Sequence, residues 1–298
     1  MADSNPAVRP NRPASARNGV SHAAEMESAI IPESRPSWTG ARSRGLTIPA
    51  SRVGGDWVVK LPFERFEAVP EHEVSMPERA RGVGMEVPVA KLMDLKGSDK
   101  LPEGPGSLRD SQALAVARCG RTPTRGSVHM EDFAQIVGLY PGDKYKTRSF
   151  MNSARVLSAE GGYEDVLEFI RRITFNALIG NADAHLKDRS RIYPSRRSPR
   201  LSLAHDLLST IAYIQDDDAG LKSGRTKRCS ELTLEEISHL ASRAGLPERA
   251  VLNTVKETVA RFQEHWSAQR AHLPLSAATI FEITAQLATI PFVRQVTY

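Results

Sequence analysis

The chain is poor in cysteine. Only Cys119 and Cys229 occur among 298 residues, with no Cys-x-x-Cys and no His/Cys cluster. That argues against a disulfide framework or a structural zinc site and fits a reducing, cytoplasmic setting. Apolar runs long enough to span a bilayer are missing, as is a hydrophobic signal core near the N-terminus, so no membrane association is expected. Also missing are a helix-turn-helix signature, an aromatic-interleaved basic stripe, an internal repeat and the repeated glycines of a Walker loop. The net charge of +5 comes from arginines spread through the N-terminal stretch, residues 189–200 and residues 222–228. We read this as a solvated surface rather than a nucleic-acid groove.

What is present divides into three parts. Residues 1–36, rich in Pro, Ser, Asn, Arg and Ala, read as a disordered tail with too little apolar surface to offset chain entropy. Residues 37–124 read as a strand-rich lobe. Leu46-Thr-Ile48 and Trp57-Val-Val-Lys-Leu61 flank a Gly54-Gly55-Asp56 hairpin signal, and further strands are expected at 87–93 and 113–117. Residues 97–110 read as a loop. Residues 125–298 read as helical: 130–137, opening on Glu131 and Asp132, then 164–179, ended by Gly180. A capping box at Thr233-Leu-Glu-Glu236 opens a helix stopped by Gly245; a long helix follows over 248–268 and a last one over 279–287. The fold class is α+β, with a small strand-rich lobe ahead of a larger helical one.

The chemistry concentrates in Leu178-Ile-Gly-Asn-Ala-Asp-Ala-His-Leu-Lys-Asp188 and Leu203-Ala-His-Asp-Leu-Leu-Ser-Thr210. Three carboxylates, Asp183, Asp188 and Asp206, stand beside Lys187. Phosphoryl transfer needs such a set: one carboxylate to orient the attacking hydroxyl and two to hold magnesium on the phosphates. Asp183 and Asp188 are five positions apart, as in a protein kinase, and Asp206 follows after a short segment. Lys187 is suited to neutralising the transferring phosphoryl group. His185 reads as a loop-structuring residue rather than a zinc ligand or proton carrier. Lys60, on the strand at 57–61, is placed to reach the ATP phosphates and an acidic partner such as Glu73. A lysine on a strand is also an ordinary solvated edge residue. Ser37-Trp-Thr-Gly-Ala-Arg-Ser-Arg44 is a candidate phosphate-covering turn through Gly40.

Taken together, these segments resemble the HipA family of kinase toxins from bacterial toxin–antitoxin systems. The residues that carry the likeness are Gly180-Asn-Ala-Asp-Ala-His-Leu-Lys187, His205-Asp-Leu-Leu-Ser-Thr210, His129-Met-Glu-Asp-Phe-Ala-Gln135, Pro141-Gly-Asp-Lys-Tyr145 and Trp57-Val-Val-Lys-Leu-Pro62. The resemblance implies a two-lobed, kinase-like fold that uses ATP and Mg2+ to phosphorylate Ser or Thr. It implies Asp183 as the catalytic Asp, Asp188 and Asp206 as metal ligands, and Lys60 as the ATP-binding lysine. Gly40 and Ala41 would lie in the phosphate loop, with Arg44 at the position of its lysine. It further implies a protein substrate, in some relatives an aminoacyl-tRNA synthetase, and a small helix-turn-helix antitoxin. The N-terminal domain of longer members would be supplied by a separate subunit. The chain departs from the family at Asp188 (usually Asn), His205 (usually Tyr), Arg44 and the 117–121 segment, which lacks the expected acid. Pro77 is expected to interrupt the helix that carries Glu73.

Overall fold

The computed structural model describes residues 47–49, 56–62, 66–95, 111–122, 124, 126–139, 149–195, 197–214 and 218–297. The expected tail, the 97–110 loop, Pro141-Gly-Asp-Lys-Tyr145 and the Gly40, Ala41 and Arg44 turn lie outside them. An antiparallel four-stranded sheet comes first, in the order β1 (Thr47–Pro49), β2 (Trp57–Lys60), β4 (Gln112–Ala117), β3 (Ala90–Asp94). Strand β2 is internal, with Val59 opposite Ile48 on one side and Ala115 on the other. Successive strand residues face opposite ways. Val59 and Leu61 pack with Leu95, Ala113 and Ala115 into a small core, which leaves Lys60 on the other face.

That face meets helix α1 (Val69–Gly82). Val69, His72, Glu73, Met76 and Ala80 are buried at helical spacing, and Pro70 suits the first turn. The expected interruption at Pro77 does not occur. Proline removes the N–H that would bond to the Glu73 carbonyl, yet packing on both sides of that turn carries the helix on to Gly82. Met76 and Ala80 belong to the large core rather than to the sheet's own cluster, and α1 rests on α6 (Glu248–Gln269) as well as on β3 and β4.

The large core is built around α4 (Tyr163–Leu178) and α6. Phe175 meets Phe262 edge-on at 5.6 Å, and Phe262 stacks on Trp266 at 5.9 Å. Truncating such a buried aromatic costs about 3–5 kcal/mol. Helices α3 (Phe150–Glu160), α5 (Leu234–Ala244), α7 (Ala277–Thr289) and α8 (Pro291–Thr297) complete it. The helix expected over 130–137 is shorter. Residues His129–Asp132 form β5, paired with β6 (Ser190–Ser195), and only Phe133–Ile136 is helical (α2), capped by Asp132. Strand β7 (Ser198–Leu201) pairs with β6, and β8 (Asp218–Ser223) with β9 (Thr226–Arg228). Thr233 caps α5 through the Glu236 N–H, at 3.2 Å, but the Glu236 side chain turns to Arg225 instead of closing a reciprocal box.

Candidate active site

Lys60 is buried, not a solvated edge residue. Its ammonium pairs with both the Glu73 and Asp206 carboxylates, joining β2, α1 and the loop that follows β7. Side-chain exposures are only 9%, 11% and 15%. Burial works against an ion pair, so the directions of the pKa shifts show what wins. For Lys60 the loss of water is outweighed first by Asp206, then by Glu73, and the ammonium is held well above its usual range. For Asp206 the loss of water is outweighed by Lys60 and by His205, whose Nδ1 lies 3.0 Å from Oδ2, and the carboxyl is held far below its usual range. Glu73 is raised, because burial exceeds the pull of Lys60 and the Asp206 charge adds to it. Of the two carboxylates, Asp206 is thus the one whose charge the pairing favours.

Asp206 has φ 55, a left-handed conformation tolerated by Asp better than by most side chains. Its loop is tied down on several sides. Arg172 of α4 donates to the Ser202 carbonyl at 2.7 Å, and Ala204 N donates to Glu86 O at 2.8 Å. Further on, the Tyr213 hydroxyl meets His72 Nδ1 of α1 at 3.0 Å, and Phe66 packs on the Tyr213 ring. Helix α1 is therefore fastened to this segment through His72 and Tyr213 as well as through Lys60.

The loop after α4 carries the other predicted residues. Gly180, at φ +65, reverses the chain where a side chain would strike Ile211. Ala182 N donates to Thr210 Oγ1 at 2.7 Å, and Ile211 N donates to Gly180 O at 3.2 Å, lashing this loop to the Asp206 loop. Asp183 N donates to Asn181 Oδ1 at 3.1 Å. His185 structures the loop, as expected: its backbone N–H and its Nδ1 each lie 2.7 Å from an Asp188 oxygen. The Arg189 guanidinium, buried over the Phe150 ring at 4.5 Å, donates to the His185 carbonyl at 2.8 Å. Burial lowers its pKa to about 10, so it stays charged at neutral pH. Lys187 lies within electrostatic reach of Asp132, whose carboxyl burial pushes up and which Lys187 opposes.

The structure thus joins Lys60, Glu73 and Asp206 directly, and ties the Asp183/Asp188 loop to Asp206 through backbone and side-chain hydrogen bonds. A cage of three carboxylates is not preformed. Among the described residues no three His, Cys, Asp or Glu side chains gather around a cation position. Magnesium does not require one, because it binds through one or two carboxylates plus phosphates and waters. Asp206 and Asp188 each retain acceptor lone pairs beyond their present partners, so the donor set fits such a metal arriving with a nucleotide. Beside β4, Ala117 N and Arg118 N donate to Val89 O and Asp56 O, both at 2.8 Å. Sequence reasoning gave no role to Asn181, Thr210, Arg189 or Gly220. Each touches residues distant in sequence, Asn181 and Thr210 across the two loops, Arg189 on Phe150 and Gly220 against the Ala184 backbone, and only the place of Asn181 and Thr210 inside the two motifs pointed toward them.

A family model described as the HipA-like C-terminal domain matches residues 36–266. The chain belongs to that family. The HipA-like relatives include "Putative kinase Y4dM" of Sinorhizobium fredii, 47% identical over 252 residues, covering 84% of this chain and 61% of that protein. Y4mE of the same organism, similarly named, is 29% identical over 240 residues, covering 74% of this chain and 54% of that protein. The chain therefore spans somewhat more than half the length of the curated relatives it matches. Among solved structures, the HipA-like fold matches a chain of the Shewanella oneidensis MR-1 toxin–antitoxin system of HipA, HipB and operator DNA. The TM-score is 0.65 at 19% identity, over 81% of this chain and 60% of that one. At that identity the likeness is one of fold: α+β, two-lobed and kinase-like, as expected from the sequence. No described helix is long and apolar enough to cross a membrane.

Proposed function

We propose that this HipA-like chain is an ATP-dependent protein serine/threonine kinase, the toxin or a toxin subunit of a toxin–antitoxin system. The observation that carries the reading is the buried Lys60 ammonium shared by Glu73 of α1 and Asp206 of the adjoining loop. A kinase site is competent when its strand lysine is paired with the helix glutamate and the metal-binding aspartate stands beside it. Cys119 and Cys229 are unbridged, in keeping with the cytoplasm. We divide the chain as a tail over 1–36, a small lobe over 37–124 with the phosphate turn of Gly40, Ala41 and Arg44, and a large lobe over 125–298.

Lys60 exchanges its Asp206 partner for the ATP phosphates and keeps Glu73, which holds the ammonium in place. Asp188 and Asp206 are the residues that would hold Mg2+. Bound there, the ion supplies charge neutralisation across the phosphate oxygens. Asp183 orients the substrate hydroxyl and accepts its proton as the oxygen attacks, and Lys187 lies against the transferring group. Orientation and fixed charge supply most of the acceleration. The partners we propose are a Ser- or Thr-bearing protein substrate, an aminoacyl-tRNA synthetase being one class, and a helix-turn-helix antitoxin that carries any DNA contact. The Shewanella structure, with HipB and operator DNA, supports the latter by analogy of fold.

One observation favours a second reading, a catalytically weak member that serves its DNA-binding partner. Both Asp188 oxygens are engaged by His185. Magnesium-dependent transfer of labelled phosphate from ATP separates the two. The kinase reading requires transfer that Asp183→Asn lowers by at least about a hundredfold. A folded chain that neither binds ATP nor transfers phosphate refutes it and favours the second reading.

A further inference from the structure

Asn181, which the sequence leaves without a role, is given one by the structure. It is 6% exposed and spends its carboxamide on three partners. Oδ1 accepts from the backbone N–H of Asp183 at 3.1 Å. Nδ2 donates to the backbone carbonyl of Asp206 at 3.2 Å and to Asn176 Oδ1 at 2.7 Å. Asn176, also buried, is anchored on α4 by its own bond to the Arg172 carbonyl at 2.8 Å. The amide orientation is dictated by its neighbours, since Asp183 offers a donor and Asp206 an acceptor. A carboxylate lacks the donor, an alkyl group lacks both functions, and a hydroxyl cannot span the two peptides.

We infer that Asn181 is a positioning residue that sets Asp183 and Asp206 in register by clamping both of their peptide units to α4. The inference rests on the kinase reading for its functional meaning. Asp206 has a second reason to need the clamp. Its left-handed backbone persists only where surroundings over-determine it, and the carbonyl Asn181 holds belongs to that strained residue. Thr210 joins the same two loops four residues further on, but it touches Gly180 and Ala182 rather than either acidic residue. Deleting the Asn181 clamp therefore leaves the loops joined while releasing the relative placement of the two carboxylates. Binding of ATP alone, which relies on Lys60, should survive. Everything that needs Asp206 aimed correctly should not.

The experiment uses the full chain with Asn181→Asp, which keeps the size and removes the donor, and Asn181→Ala in case the first fails to fold. Calorimetry measures ATP binding with and without MgCl2, and hydrogen exchange follows residues 203–211 and 180–186. We expect metal-free ATP affinity within about threefold of the parent and at least a tenfold loss of the affinity gained with magnesium. Exchange in both loops should quicken at least tenfold while α4 and α6 are unchanged, and kcat should fall about a hundredfold with KM for ATP within threefold. Parent-like exchange, or a parent-like magnesium effect, overturns the inference. A parent chain that binds no ATP sinks the kinase reading alone, and the exchange rates then decide whether Asn181 holds the two loops.

Discussion

Replacing Gly220 by alanine tests whether the loop bearing Asp183 is seated on the β8–β9 hairpin. The alanine Cβ would overlap the Ala184 carbonyl oxygen and lie 3.1 Å from its carbon and 3.2 Å from the Ala182 oxygen. Those are backbone atoms on either side of Asp183, so no side chain can rotate out of the way. Restoring ordinary carbon contact requires a relative shift of roughly 0.5–1 Å. Ala184 and Leu186 are buried in the large core, so part of the shift is taken up as strain, at a cost of about 1–3 kcal/mol. The rest displaces Asp183, and a misplacement of about 1 Å costs on the order of a hundredfold in rate. The assay pairs thermal unfolding with steady-state phosphate transfer, using Gly162→Ala as reference because nothing lies within 4 Å of a Cβ there. Gly220→Ala should lose about a hundredfold in kcat, while the reference, an N-cap exchange on α4, stays within about 1 kcal/mol of the parent in stability. Parent-like stability and rate in Gly220→Ala would refute the claim that β8 fixes the loop.

Lys60→Met leaves Glu73 and Asp206 buried without their cation, and denaturant unfolding should show a loss of about 3–5 kcal/mol. The two carboxyls then titrate above their unfolded values, so the variant should lose stability as pH rises from 5 to 8; a flat profile contradicts the shared ion pair. Burial lowers His72 to about 3 from 6.5. Below pH 6.5 the unfolded chain binds a proton that the folded chain refuses, so stability falls by about 1.4 kcal/mol per pH unit. Parent and His72→Phe should therefore diverge by about 2 kcal/mol between pH 6.5 and 5, and parallel unfolding curves would show His72 charged in the fold.

The parts of the fold that were legible in sequence were those with local causes. Helix α4 announced itself through its apolar period and Gly180, strand β2 through Trp57-Val-Val, and β4 through its short apolar run. Strand β5 was misread because Glu131 and Asp132 suit a helix start, whereas its pairing partner lies some sixty residues away, opposite Arg191 and Ser190. Pro77 misled for the same reason, since the packing that carries α1 past it comes from α6 and the sheet. At the site, acid and lysine identities pointed to the chemistry, and Glu73 was found as the partner of Lys60. The clamps were invisible: Asn181 looks like a turn former, Arg189 like surface charge, and Gly220 like a hairpin glycine.

Helix α1 has roots in the large core while Lys60 sits on the small sheet, so the Lys60 ion pairs tie one to the other. Any shift of the sheet against the large core must therefore stretch the Lys60–Asp206 pair or peel α1 from one of its two supports. Lys60 is thus an electrostatic latch between the two layers, and under the proposed function a polyphosphate would release Asp206 by offering the lysine a substitute counter-ion.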